Sequence, residues 1–208
     1  MKVRTIWGTA RNFPVGASLP PREPQLFVKN SHAMIGPGEP LRLTGSVAQR
    51  VVAEGELAIL IGEQCRDLGS VSDARAVIAG YCIANDVTAR DLQEIDDHWS
   101  RGKGLDGFCP LGSQVVAPDD VPAWDEVVIR TWVDSALVQE EAVAAAFVGP
   151  EELVRWASKQ FTLHPGDVFL LGTPDYLPSG DESGAVLRPG CTAKVEIAGI
   201  GSLVTPVI

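Results

Sequence analysis

Glycine and proline recur along the whole chain, 21 and 15 times in 208 residues, and they leave few stretches long enough for a helix of many turns. Proline lacks an amide hydrogen and glycine adds backbone freedom, so both close off regular structure. A chain punctuated this way reads as many short strands. In the first forty-five residues the turns follow one another at Pro14, Gly16, Pro20-Pro21, Pro24, Gly36-Pro37-Gly38 and Pro40, with one short strand expected over residues 25–29. Residues 51–62 form the strongest strand candidate, becoming fully apolar before Gly62. Further strands are expected over 80–86, 126–138, 168–172, 193–197 and 201–204. Two segments read as helices: 72–79, with Ser72 as N-cap and Asp73 in the first turn, and 150–160, which places Leu153, Val154, Trp156 and Ala157 on one side. Two short helices against eight or more strands give an α+β fold that is mostly β. The chain divides into a turn-rich segment, 1–45, packing on a core built from 46–208, the whole forming one globular unit.

Charge narrows the function. Seventeen basic residues against twenty-seven acidic ones give a net charge of −10, with no basic run able to neutralise a phosphate backbone, so nucleic acid is not expected as a partner. No apolar run reaches the ~18–20 residues that span a bilayer. An acidic protein repels anions at long range, so an anionic substrate needs local cations to hold it. The cysteines at 65, 82, 109 and 191 make no closely spaced pair, which argues against a zinc ribbon or a dithiol redox motif. Met1-Lys2-Val3-Arg4 runs into a mixed segment without the apolar core of a signal peptide, and a cytoplasmic protein with reduced thiols is expected.

Glu54-Gly55-Glu56 lies inside the strong strand. Residues two apart on a strand share a face, with Cα atoms ~6.5–7 Å apart. Two carboxylates there repel each other, and burial raises the cost of each charge. A divalent cation reconciles them, and oxygen ligands without thiolate or imidazole favour magnesium, manganese or calcium over zinc. An edge strand with both glutamates solvated stays open on this feature alone. Asp86 adds a third carboxylate at the end of a strand, a position that also suits a simple turn.

The order of motifs adds a resemblance. Glu54-Gly55-Glu56 is followed by Asn85-Asp86-Val87-Thr88-Ala89-Arg90-Asp91-Leu92-Gln93 and by Lys103-Gly104-Leu105-Asp106-Gly107-Phe108. Then come Thr162-Leu163-His164-Pro165-Gly166-Asp167, Leu171-Gly172-Thr173-Pro174, Leu187-Arg188-Pro189-Gly190 and Gly199-Ile200-Gly201-Ser202-Leu203. From about Pro24 onward this resembles the fumarylacetoacetate hydrolase family. The resemblance implies a mixed β-roll with short flanking helices, usually a homodimer, with residues 46–208 as the catalytic domain. It implies one Mg²⁺ or Mn²⁺ per chain on Glu54, Glu56 and Asp86. Lys103 matches the family's lysine beside the metal, Arg90 a catalytic arginine, and Gln93, Thr173 and Lys29 positions that contact substrate. For Arg90 a salt bridge to Asp91 or Glu94 is the plainer alternative, for Lys29 a solvated strand end, and for Gln93 an ordinary surface position. Asp106 and Asp167 read as turn residues.

One stretch departs from the family. Its hydrolases follow an Asn-Tyr pair with a histidine and then a glutamate on a lid helix, and that pair activates water. Here the matching residues are Arg11-Asn12-Phe13-Pro14-Val15-Gly16-Ala17, with no histidine, no acid before Glu23, and too much proline for a helix. Of the three histidines, His164 sits in a turn and His32 follows Lys29, both read as structural, which leaves His98 as the candidate substitute base. The expected partner is a small anionic 2-oxo acid or its enol. Decarboxylation and keto–enol isomerisation do not need an activated water, so they are favoured, as in the homoprotocatechuate branch of aromatic catabolism. A C–C hydrolase of the acylpyruvate or fumarylacetoacetate type with a substitute base is the alternative. A non-catalytic metal-holding subunit, or half of a paired enzyme, is an alternative of another class.

Overall fold

The computed structural model of the chain describes residues 2–178 and 181–208. Its strands are β1 (Ile6–Ala10), β2 (Gln25–Lys29), β3 (Met34–Ile35), β4 (Val51–Val52), β5 (Gly55–Ile61), β6 (Ile78–Asn85), β7 (Thr88–Ala89), β8 (Cys109–Pro110), β9 (Val128–Val133), β10 (Ala136–Ala142), β11 (Val168–Leu170), β12 (Thr192–Ile197) and β13 (Gly201–Pro206). The helices are α1 (Val71–Val77), α2 (Arg90–Ile95), α3 (Ser100–Gly104), α4 (Pro150–Gln160) and α5 (Asp181–Gly184).

Five strands form a mixed sheet in the order β2-β1-β11-β5-β6, in which β1 runs parallel to β11 and the other pairs are antiparallel. An antiparallel sheet, β10-β9-β12-β13, packs against β5 and β6. Strand β5 explains the layering. It is buried on both faces, and its side chains alternate between two clusters. Leu57, Ile59 and Ile61 join Ile129, Val195, Ile197 and Leu203 between the sheets, where Leu153, Val154 and Ala157 of α4 also pack. Ala58 and Leu60 point the other way, onto Ile6, Cys82, Cys109 and Val168. The α+β, mostly β class read from the sequence is the class found.

Several local expectations are corrected. The apolar run at 51–62 is two strands: β4 pairs with β7, the chain steps across at Ala53-Glu54, and β5 pairs with β6 and β11. Helix α1 is capped by Ser70, not Ser72. The Ser70 side chain accepts from the Asp73 N–H while Asp73 accepts from the Ser70 N–H, the reciprocal box that needs an acid three residues on. The expected strand at 126–138 is the hairpin β9–β10, turned at Asp134, whose φ is +54°. The sequence predicts two helices; α2, α3 and α5 are additional, and each brings a residue to the site. Residues 6–10 and 25–29, from the turn-rich segment, are strands of the five-stranded sheet itself.

Candidate metal centre and its cavity

Register places the acids. Gly55 pairs with Asn85 and Glu56 with Ala84, so Glu54 and Asp86 stand opposite each other just beyond the paired ends, and the Asp86 N–H donates to the Glu54 carbonyl at 2.8 Å. The period-two alternation that sends Leu57 and Ile59 to the core sends Glu54 and Glu56 to the opposite face. Gly55 faces the second sheet so closely that a Cβ there would sit 2.1 Å from Thr131 Oγ1 and 2.9 Å from Val195 Cγ1. The residue between the two glutamates therefore cannot carry a side chain without moving a strand.

Each of Glu54, Glu56 and Asp86 offers a carboxylate oxygen within 4.8 Å of the others, and all three are buried. Cations from three directions offset them. Lys103, on α3, donates to Glu54 Oε2 at 2.6 Å and to Asp86. Arg90, at the start of α2, donates to Glu54 Oε1 at 2.5 Å and pairs with Glu182 at 3.1 Å. Lys29 donates to Asp86 Oδ1 at 2.5 Å. Glu56 accepts from the Gly172 N–H at 2.6 Å. Among the described residues no cation bonds it, and burial followed by repulsion from Asp86 pushes its carboxyl well above the usual range. Burial also opposes charge on Asp86, yet the Lys103 and Lys29 ammonium groups hold its carboxyl below the usual value. Burial likewise disfavours the Lys103 charge, but Asp86, Glu54 and Glu56 outweigh it and keep the amine protonated. A hard divalent ion fits this set: the ligands are all oxygen, and the glutamate without a cation is the one that gains most from it.

The acids open into a cavity of about 390 Å³ whose wall includes Arg90, Gln93, Lys103 and Thr173. Arg90 bonds Glu54 and Gln93 instead of Asp91 or Glu94, its Nη1 donating to Gln93 Oε1 at 2.7 Å. Thr173 donates its hydroxyl to the Gly55 carbonyl at 3.1 Å and accepts from Gln139 Nε2 at 2.8 Å, so its one hydroxyl proton is spent on the strand that carries the glutamates. Gly172 holds a φ of +106°, a conformation that suits glycine and turns its N–H onto Glu56. An aromatic wall completes the cavity. The Phe27 ring lies against β1 at Gly8, where a Cβ would fall 2.0 Å from the ring, meets Trp99 edge-on at 5.7 Å, and sits 4.9 Å from Lys103 Nζ.

Two expected site residues are elsewhere. Lys29 does not line the cavity: it is fully buried, and its three hydrogens go to Asp86, the Phe108 carbonyl at 2.7 Å and the Val87 carbonyl at 3.2 Å. It supports Asp86 from behind. His98 is exposed and lines a second cavity, of about 470 Å³, with Phe27 and Trp99 on the boundary between the two. His32 is exposed and His164 half-buried beside the turn that Asp167 closes by accepting from the His164 N–H.

The structure also brings in residues that sequence reasoning missed. Tyr176 lines the cavity and donates to the Ala53 carbonyl at 3.2 Å; burial, then Glu54, pushes its phenol well up. Glu182 reaches the same wall, paired with Arg90 and with Arg50 at 3.4 Å. Arg11 lies at the end of β1 on the same cavity. Tyr176 stands three residues past Thr173, the only local signal for it. Residues 11–24 contain no helix.

Among known proteins, the family model described as fumarylacetoacetate (FAA) hydrolase C-terminal matches residues 5–208. A Mycobacterium tuberculosis protein is 41% identical over 194 residues, which are 91% of this chain and 68% of that protein. A mitochondrial oxaloacetate tautomerase of Xenopus laevis is 36% identical over 200 residues, covering 95% of this chain and 60% of its own length. Among solved structures, a 5-carboxymethyl-2-hydroxymuconate delta-isomerase from Mycobacterium smegmatis superposes with a TM-score of 0.87 at 36% identity, covering 99% of this chain and 79% of that one. Among the described residues no helix is long and apolar enough to cross a membrane.

Proposed function

The chain belongs to the fumarylacetoacetate hydrolase family, and from that premise we propose that it is a divalent-metal-dependent enzyme of keto–enol chemistry, isomerising or decarboxylating a small 2-oxo acid. The observation that carries this reading is the buried triad of Glu54, Glu56 and Asp86 with the Lys103 ammonium set between two of its members. Glu54, Glu56 and Asp86 would hold one Mg²⁺ or Mn²⁺, which when bound supplies Lewis acidity toward the 2-oxo end of the substrate. The remaining work falls to side chains. Lys103, kept protonated by its carboxylates, donates toward negative charge that develops on the 2-oxygen and is the cavity's buried proton carrier toward C3. Arg90 and Gln93, locked to each other, orient the substrate's carboxylate end. Phe27 and Trp99 keep water from the Lys103 side.

The state of the other acids favours proton shuffling over C–C hydrolysis. Hydrolysis needs a base for water, and the remaining acids of the wall are engaged: Glu182 by Arg50 and Arg90, Asp175 by the N–H groups of Gly16 and Tyr176. The relatives named as an oxaloacetate tautomerase and a hydroxymuconate isomerase act by the same class of chemistry. Loss of enol absorbance and release of carbon dioxide, measured on 2-oxo dicarboxylates and acylpyruvates with Mg²⁺ or Mn²⁺, test the reading. Glu56→Gln, which keeps shape and removes a charge, is expected to abolish turnover and metal binding while leaving the fold intact. Full activity after exhaustive chelation would overturn the metal reading, and tight metal binding without any turnover would turn it into that of a non-catalytic subunit. A cytoplasmic homodimer is part of the proposal, and sedimentation showing a stable, active monomer would remove the dimer from it.

A further inference from the structure

We propose that Gln139 is a positioning residue of the metal centre: its side-chain amide replaces a strand missing beside Gly55 and so sets the spacing of Glu54 and Glu56. The assignment rests on the metal reading above. Strand β5 loses a neighbour just where the glutamates sit. Its pairing with β11 ends at Ala58 opposite Leu170, and one further bond runs from the Leu171 N–H to the Leu57 carbonyl. Gly172, with its positive φ, then turns the chain away. On that side the Gly55 N–H and carbonyl have no strand to meet them, and a buried peptide group without a partner is costly. Side chains take the strand's place. Gln139 Oε1 accepts from the Gly55 N–H at 3.0 Å, while Gln139 Nε2 donates to Thr173 Oγ1 at 2.8 Å and to the Pro174 carbonyl at 2.7 Å. Thr173 donates in turn to the Gly55 carbonyl at 3.1 Å, which closes a ring of bonds around the residue between the two glutamates.

Chemistry forces the amide's orientation. The Gly55 N–H only donates and the Pro174 carbonyl only accepts, so oxygen faces the first and nitrogen the second. A carboxylate would lack the donors, and an aliphatic side chain would lack everything. The backbone of β10 supplies an independent sign. Val138 and Gln139 are adjacent yet both fully buried, which regular alternation forbids. The register slips between Leu137 and Gln139, and this β-bulge turns Gln139 inward opposite Thr131 while Glu140 and Glu141 stay exposed. Bulges beside reactive sites re-aim a side chain in this way. The same bulge docks the chain that follows Thr173: the Leu177 N–H donates to the Val138 carbonyl at 2.8 Å, and Gln139 forms a bridge with Tyr176. Gln139 itself lies outside the cavity wall. It acts through two pieces of backbone, the step between Glu54 and Glu56 and the segment after Gly172, whose N–H bonds Glu56.

The test is titration of the full chain with Mn²⁺, followed by electron paramagnetic resonance, which measures free ion and reports the ligand geometry of bound ion. Gln139→Met keeps length and bulk and removes all three hydrogen bonds. It should bind Mn²⁺ roughly ten- to a hundredfold more weakly than the wild type, the usual range for groups that orient metal ligands. The spectrum of the ion it does bind should differ as well. Leu153→Ala opens the core between the sheets from α4 and leaves the bonds at Gly55 in place, so it controls for lost stability. Its melting should fall while Mn²⁺ affinity and spectrum stay as in the wild type. Thr173→Val breaks only the two bonds of the hydroxyl and should give part of the loss, which keeps the test decisive if the Met variant fails to fold. Wild-type affinity and spectrum in the Met variant or in Thr173→Val, or a loss of equal size in Leu153→Ala, overturns the assignment. A wild-type protein that binds no Mn²⁺ overturns the metal reading itself, and the assignment with it.

Discussion

Replacing Lys29 with methionine separates a structural cation from a substrate contact. Met keeps the length and apolar stem of lysine and removes the ammonium, which here is fully buried between Asp86, the Val87 carbonyl and the Phe108 carbonyl. Removing one partner of a buried ion pair typically costs about 3–5 kcal/mol, because the other charge stays in a dry environment. Two carbonyls lose a donor as well, at about 1–3 kcal/mol each if nothing replaces it. Against this, Asp86 retains Lys103 and its carboxyl can take up a proton. Lys29→Met should therefore unfold about 3–5 kcal/mol more easily, with Tm lowered by roughly 6–20 °C in a chain of this length. The sign with pH follows from Asp86. Its carboxyl is held below the usual value in the folded protein, so the stability it contributes is present above the ordinary carboxylate range and fades as pH falls through the folded value. Losing Lys29 raises that folded value, so the variant should lose less stability than the wild type on acidification. Urea unfolding at pH 7 reads the first effect, and a series carried in chelator from pH 7 down to below the ordinary aspartate range reads the second. Wild-type stability with only a raised KM would refute this reasoning and return Lys29 to the substrate.

Gly55→Ala puts a Cβ 2.1 Å from Thr131 Oγ1, and should destabilise the protein by about 1–3 kcal/mol while weakening metal binding through displaced glutamates; a variant with wild-type melting would contradict it. Burial pushes the Cys82 and Cys109 thiols up to about 12, so neither should be alkylated by iodoacetamide at pH 8 in the native protein, and both should react once it is unfolded. His98→Ala should leave turnover of 2-oxo acids unchanged, since His98 lies on the second cavity. A loss of about 10²–10⁴-fold, the usual effect of removing a general base, would show that His98 reaches the reacting atoms.

Period-two alternation makes the glutamate pair legible in the sequence itself, because a strand cannot hide which residues share a face. Helix α4 is equally open to reading, with Pro150 at its start, Glu151 and Glu152 in the first turn and Lys159 in the last. Helices α2 and α3 are not, since six and five residues are too few to display a helical period, although they carry Arg90, Gln93 and Lys103. Motif order alone points to those residues. Lys29 misleads for a different reason. A lysine at the end of a short strand looks solvated, and only the pairing of β2 with the interior strand β1, Lys29 opposite Ile6, takes it inside. Arg11 and Tyr176 come from loops and Glu182 from α5, more than 160 residues apart in the extreme case, and no local pattern encodes that meeting.

The placement of β1 beside β11 has a consequence for synthesis. The β5–β6 pair, connected through α1 and holding Glu56 with Glu54 and Asp86 at its open end, joins residues within about thirty positions of each other and can form as soon as it emerges. The edge of β5 that later carries Gly172 stays open until residues 168–170 arrive, and β1, made first, has no parallel partner until then. At typical elongation rates of about 5–20 residues per second, the nascent chain carries an open strand edge for several seconds at the least. An unpaired apolar edge of that kind is a target for wrong pairing, so ribosome-bound chains halted before residue 168 should bind chaperones, and release from them should coincide with closure of the sheet.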